Sequence, residues 1–137
     1  MEKLKISTVQ FENKSGDKNY NLSVIEKLTG EAAAGGSKIV AFHECCISGY
    51  SFARKISKRK LLEIAEFIPE GKSIQKLTEI AKKYDVAVLA GLFERDREEN
   101  VFNTYVCVDK NGLVAKYRKL HPFIHPELSP GNEYCVF

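Results

Sequence analysis

The pattern of apolar and polar positions divides the chain into a regular succession of elements. Residues 5–10 read as a strand. Residues 18–34 read as a helix capped by Asp17, with Leu22, Ile25, Leu28 and Ala32 spaced for one buried face and Gly35 and Gly36 as the stop. Residues 39–42, Ile39-Val40-Ala41-Phe42, form a buried strand, and strand, helix, strand at this spacing implies a parallel pair with a right-handed crossover. A loop follows, then a helical segment near residues 58–67 closed by Pro69 and Gly71. Residues 73–84 make a clearer helix with Ile74, Leu77, Ile80, Ala81 and Tyr84 on one face, and residues 86–92 a third buried strand. This βαβαβ order predicts an α/β layered fold.

The pattern then changes. Residues 101–108 and 113–118 are two strands joined by Asp109-Lys110-Asn111-Gly112, and an Asn-Gly step between β-branched flanks signals a hairpin. An antiparallel hairpin therefore extends a sheet begun in parallel. From His121 to Gly131 the chain is rich in proline and polar residues and reads as an ordered loop. Repeats, low-complexity tracts and linkers are not evident, so residues 1–137 are expected to form a single domain.

The chain is organised around residues 38–50, where an apolar run ends in His43-Glu44-Cys45-Cys46 and passes into a Ser48-Gly49-Tyr50 turn. Open α/β sheets keep their sites at the C-terminal edges of their strands. A carboxylate at such an edge is partly desolvated, which moves it toward the range useful for proton transfer. Glu44 is the first candidate general base; the alternative is that it only accepts backbone N–H bonds in the turn.

Composition narrows the class. With 137 residues, 44% hydrophobic and 28% charged, the sequence is that of an ordinary globular domain. A net charge of +3 does not argue for nucleic acid, and the basic run Arg54, Lys55, Lys58, Arg59 and Lys60 reads as a solvated helix face. No stretch resembles a targeting segment or approaches membrane-spanning length, so a cytoplasmic protein is expected. Cys45, Cys46, Cys107 and Cys135 contain no C-x-x-C pair, which leaves free thiols as the expectation and no metal site. Taken singly, Lys119 at the end of the second hairpin strand and Glu127 in His125-Pro126-Glu127-Leu128 read as surface residues.

Together these residues complete a pattern. Phe42-His43-Glu44 with Ser48-Gly49-Tyr50 resembles the first motif of the nitrilase, or carbon–nitrogen hydrolase, superfamily, and Tyr117-Arg118-Lys119-Leu120-His121-Pro122-Phe123 resembles the second. Ala90-Gly91-Leu92-Phe93-Glu94, Phe102-Asn103-Thr104 and Ser129-Pro130-Gly131 are similar to the same family, in its order and spacing. The resemblance implies that Glu44 is the general base, Lys119 the catalytic lysine and Glu127 a second acid that supports the site. It implies a four-layer αββα sandwich, of which this chain supplies the first half, acting on a small amide, carbamoyl or nitrile substrate without a metal or organic cofactor.

The departure lies in the nucleophile. The family's cysteine belongs to a third motif, after a strand that would begin beyond Val136-Phe137. Cys135 lacks the aspartate that follows that cysteine, and packing is the favoured role for Cys45 and Cys46. The expectation is an amino-terminal part of a hydrolase, inactive alone, whether truncated or completed by a second chain; a homodimer is the family's default. The alternative is a non-catalytic module that keeps the fold's first half and binds a partner through its exposed sheet edge.

Overall fold

The computed structural model describes residues 3–136, so Met1, Glu2 and Phe137 of the expected domain lie outside the described residues. The chain runs β1 (Ile6–Val9), α1 (Lys18–Ala34), β2 (Ile39–Phe42), a short 3-10 turn (Ser51–Lys55), α2 (Lys58–Ile64), α3 (Lys72–Tyr84), β3 (Ala87–Arg95), β4 (Val101–Asp109) and β5 (Gly112–Arg118). The strands lie in sequence order in one sheet: β1, β2 and β3 are parallel, and β4 and β5 are antiparallel. This is the mixed α/β sheet expected from the sequence.

Local chemistry explains the main boundaries. The Asp17 carboxylate accepts the Tyr20 N–H at 3.0 Å, satisfying one of the unpaired donors at the start of α1. Gly35 caps the far end and Gly36 follows at φ +87°. Leu22 and Ile25 are buried on the inner face, and Leu28 and Ala32 pack partly against the same core. Asn21, also buried there, holds Lys14 through both its N–H and carbonyl and reaches the Ile47 carbonyl at 2.8 Å. It thereby ties α1 to the turn that carries Glu44.

Two elements differ from expectation, for one reason. The helix expected over residues 58–67 stops at Ile64, because Ala65 turns extended and Glu66 joins the sheet. The Glu66 N–H bonds the Phe93 carbonyl at 3.0 Å and the Arg95 N–H bonds the Glu66 carbonyl at 2.8 Å. β3 runs on to Arg95, past Leu89 where its pairing with β2 ends, and residue 66 occupies the edge left free. The strand expected over residues 86–92 thus extends to Arg95, and Glu94 within the added stretch is 1% exposed.

The core lies between the sheet and α1 with α3, where Val40, Phe42, Val88, Leu92, Val106 and Val108 meet Leu22, Ile25, Leu77 and Ile80. A second apolar cluster, with Cys45, Leu61, Phe93, Val101 and Leu128, supports the loops near Glu44. Side chains alternate across a strand, so Ile6, Ile39, Ala41, Leu89, Tyr105 and Tyr117 point to the other face. All of these are open to solvent to some degree, Ile6 to 54%. Among the described residues no helix is long and apolar enough to cross a membrane.

Candidate active site

Glu44 is separated from the end of β2 by one residue, His43, and lies on a turn that packs against β3. Cys45 adopts φ +49°, and the Ile47 N–H bonds the Gly91 carbonyl at 3.0 Å. Gly91 is required there, since any side chain would run into the backbone nitrogen of Cys45. Lys119 is the first residue after β5. Its N–H bonds the Asn103 carbonyl at 2.8 Å, and its own carbonyl accepts the Gly131 N–H at 2.9 Å. Gly131 in turn lies against the Arg118 carbonyl, with no space for a side chain.

These two anchors bring Glu44 and Lys119 together across 75 positions of sequence. The Lys119 ammonium stands 2.6 Å from Glu44 Oε1, and the Asn103 amide donates to the same oxygen at 2.6 Å. The hydrogen bond to Glu44 raises the Lys119 pKa above its ordinary value, against the opposing pull of burial. The rings of Tyr50 and Phe123, 5.9 and 5.6 Å from the ammonium, flank it on the apolar side. The Tyr50 phenol is pushed up first by burial and then by the Glu44 charge.

The pair borders a cavity of about 480 Å³ lined by Phe42, Glu44, Asn103, Tyr105, Tyr117 and Lys119. The Glu44 side chain is 44% exposed, more than its place at a strand end led us to expect, because this cavity opens on the sheet face that α1 and α3 do not cover. Glu127 sits apart from the pair. Among the described residues its ion pair is with Lys58, at 3.4 Å, and its N–H bonds His125 Nδ1 at 3.1 Å.

Cys45 and Cys46 are fully buried. Burial, then the Glu44 charge, pushes the Cys45 thiol far above the ordinary range, and burial takes Cys46 up to about 12. Both are therefore protonated at neutral pH, and the Cys45 thiol donates to Asn103 Oδ1 at 3.3 Å. Cys107 is buried on β4, and Cys135, partly exposed, lines a small cavity beside it.

Two buried polar residues without an assigned role in the sequence hold the site in shape. Asn103 touches Glu44, Cys45 and the backbone of Lys119. Glu94 accepts from Thr104 at 2.7 Å, from Arg118 at 3.0 and 2.7 Å, and from Lys116, so one carboxylate fastens β3, β4 and β5 just before Lys119. Burial raises the Glu94 carboxyl, but the bonds from Arg118, Lys116 and Thr104 outweigh it and hold the carboxyl below the ordinary value. The available signal was a polar residue within an apolar strand, which polarity alone assigns to solvent.

Comparison with known proteins gives a consistent picture. The model of the carbon-nitrogen hydrolase family matches residues 5–135. A nitrilase of Pyrococcus abyssi is 33% identical over 131 residues, covering 94% of this chain and 48% of that protein. The omega-amidase NIT2 of Homo sapiens is 31% identical over 149 aligned positions, covering 100% of this chain and 51% of that protein. The chain thus spans about half the length of the curated relatives it matches. Among solved structures, an N-terminal amidase superposes with a TM-score of 0.75 at 20% identity over 93% of this chain and 31% of its own. An amidase from Nesterenkonia sp. does so with a TM-score of 0.73 at 20% identity over 95% and 49%. These amidases share the fold described above. On the family match over nearly its whole length, the chain belongs to the carbon-nitrogen hydrolase family.

Proposed function

We propose that this chain carries the proton-transfer half of a hydrolase for non-peptide carbon–nitrogen bonds in small amide, carbamoyl or nitrile substrates. The supporting observation is the contact of Lys119 with Glu44 at 2.6 Å beside an open cavity. In this reading the nucleophilic thiol comes from a longer form of the chain or from a second polypeptide, and it approaches over the open sheet face. Glu44 takes the thiol proton as the sulfur–carbon bond forms. Lys119, kept charged by Glu44, stands where negative charge develops on the substrate. With an amide or carbamoyl substrate Glu44 then passes its proton to the leaving nitrogen as the carbon–nitrogen bond breaks; with a nitrile the proton first completes a thioimidate, to which one water adds before ammonia leaves and the thioester forms. A water deprotonated by Glu44 cleaves the thioester and restores the thiol. Glu127 supports the site at one remove, because through Lys58 it steadies the loop whose Gly131 holds the Lys119 carbonyl.

Ammonia release from small amides and nitriles tests this reading. The 137-residue chain is expected to release none, and a chain extended through a cysteine-bearing strand is expected to turn over. In that longer chain Glu44→Gln or Lys119→Ala should lower kcat by about 10²–10⁴-fold. Turnover by the unextended chain would refute the assignment of the thiol. The open apolar face also favours a second reading, a binding module without catalysis. Under it, Glu44→Gln and Lys119→Ala leave partner binding intact and a charge on the open face, such as Leu89→Asp, abolishes it.

A further inference from the structure

Glu44 receives two side-chain hydrogen bonds, and both fall on one oxygen. Lys119 Nζ and Asn103 Nδ2 each lie 2.6 Å from Oε1, while among the described residues Oε2 accepts none. Asn103 is held at its other end as well, since its Oδ1 accepts the Cys45 thiol at 3.3 Å. That second contact is closed to water, with Asn103 5% and Cys45 0% exposed. We propose that Asn103, backed by the Cys45 thiol, is a positioning residue that fixes the Glu44 carboxylate and leaves Oε2 as the oxygen that takes and returns protons. This rests on Glu44 being the general base, as argued above.

The chemistry at both ends of Asn103 demands the same orientation. A carboxylate offers only acceptors, so it must meet the amide nitrogen; a thiol offers a hydrogen, so it must meet the amide oxygen. Turning the amide over would set oxygen against carboxylate and leave the thiol facing N–H. Burial keeps Cys45 protonated, hence a donor, throughout the neutral range. On Glu44 the two donors, one of them a cation, occupy the lone pairs of Oε1 and stabilise its negative charge. Oε2 keeps its lone pairs and is the more basic oxygen. Cys45 is thus not a reserve nucleophile: its value to the site lies in staying neutral.

The experiment is an NMR titration of the Lys119 side chain in the 137-residue protein. In the parent, Lys119 titrates above the ordinary lysine value because of its bond to Glu44, against burial. Asn103→Leu frees the carboxylate to swing, and the Lys119 midpoint is expected to fall toward that of a solvated lysine. Cys45→Ala should lower it to a smaller extent, and Cys45→Ser, which restores a donor, should bring it back. Glu44→Gln sets the floor. If Asn103→Leu and Cys45→Ala titrate like the parent while Glu44→Gln falls, positioning by Asn103 is wrong. If Glu44→Gln does not fall either, the contact beneath the proposal is absent. Should Asn103→Leu fail to fold, the comparison of Cys45→Ala with Cys45→Ser decides. The Asn103 side-chain amide supplies a check without substitution at that residue: its protons should exchange slowly in the parent and fast in Glu44→Gln, and fast exchange in the parent overturns the proposal. None of these readouts uses turnover, so an extended, cysteine-bearing chain that hydrolyses nothing counts against the proposed function and not against this arrangement.

Discussion

Replacing Glu94 by glutamine removes a negative charge from the interior end of the sheet while keeping the shape of the side chain. The carboxylate is 1% exposed and accepts from Thr104, Lys116 and two nitrogens of Arg118, Nε and Nη2. Breaking a buried ion pair from one side costs about 3–5 kcal/mol. Here the Lys116 and Arg118 side chains retain 34% and 30% exposure and can turn to water. That access lowers the expected loss to about 2–3 kcal/mol, or roughly 10 °C in Tm for a chain of this size. The pH dependence follows from the direction of the shift. Burial raises the Glu94 carboxyl and its three partners more than reverse this, so the folded value lies below the unfolded one of about 4.3. The stabilisation is then complete above that pH and is lost as pH falls through the lowered folded value. Urea unfolding followed by circular dichroism should show the full gap between parent and Glu94→Gln at pH 7 and a narrower one at about pH 3, with equal m-values. A loss under about 0.5 kcal/mol at pH 7, the size of an ordinary surface change, would refute the reasoning, as would a gap that does not narrow in acid.

The other expectations can be checked with the same preparation. Gly91→Val forces a side chain against the Cys45 nitrogen and should cost about 1–3 kcal/mol in urea unfolding; an unchanged midpoint would mean that the Glu44 turn does not rest on β3. Glu66→Ala removes the carboxylate that accepts the Ser73 N–H at 2.9 Å at the start of α3 and pairs with Lys18 at 2.7 Å. It should lose about 1–3 kcal/mol and speed amide exchange at Ser73, whereas slow exchange there would show the helix end capped by other means. With an aromatic disulfide at pH 8, Cys135 should react in the native protein, and Cys45 and Cys46, buried with raised pKa values, only after denaturation. A fast phase that survives Cys135→Ser would contradict this.

What the sequence made legible was local chemistry. The Asp17 cap, the Gly35 and Gly36 stop, the β2 run and the Asn111-Gly112 turn each carry their signal within a few residues, and α1, β2 and the hairpin form where expected. The end of α2 was not legible, because residue 66 leaves the helix to pair with Phe93 and Arg95, some thirty positions away. Glu94 reads as polar and hence exposed, and only the arrival of Lys116 and Arg118 from β5 makes its burial affordable. The contact between Glu44 and Lys119 has no local trace either. Only the likeness of their surrounding motifs to a known family suggested that the two should meet. The likeness took in Asn103, within Phe102-Asn103-Thr104, but gave it no role, because that role depends on three partners brought in from the turn after β2 and the end of β5.

Strand β4 also acts as a check on assembly errors. Asn103 faces the Glu44 cavity, and its neighbour Thr104 faces the opposite side, where it meets Glu94. A slip of one residue in the pairing of β4 would exchange them. The amide would face the Glu94 cluster, and a hydroxyl too short to span the gap would stand between Glu44 and Cys45. The backbone bond from Lys119 to residue 103 would be misplaced in the same event. A misassembled sheet would therefore lose its buried charge balance and the contact of Lys119 with Glu44 together. Selection for a stable hairpin and selection for a working site act on the same register, and neither can drift without the other.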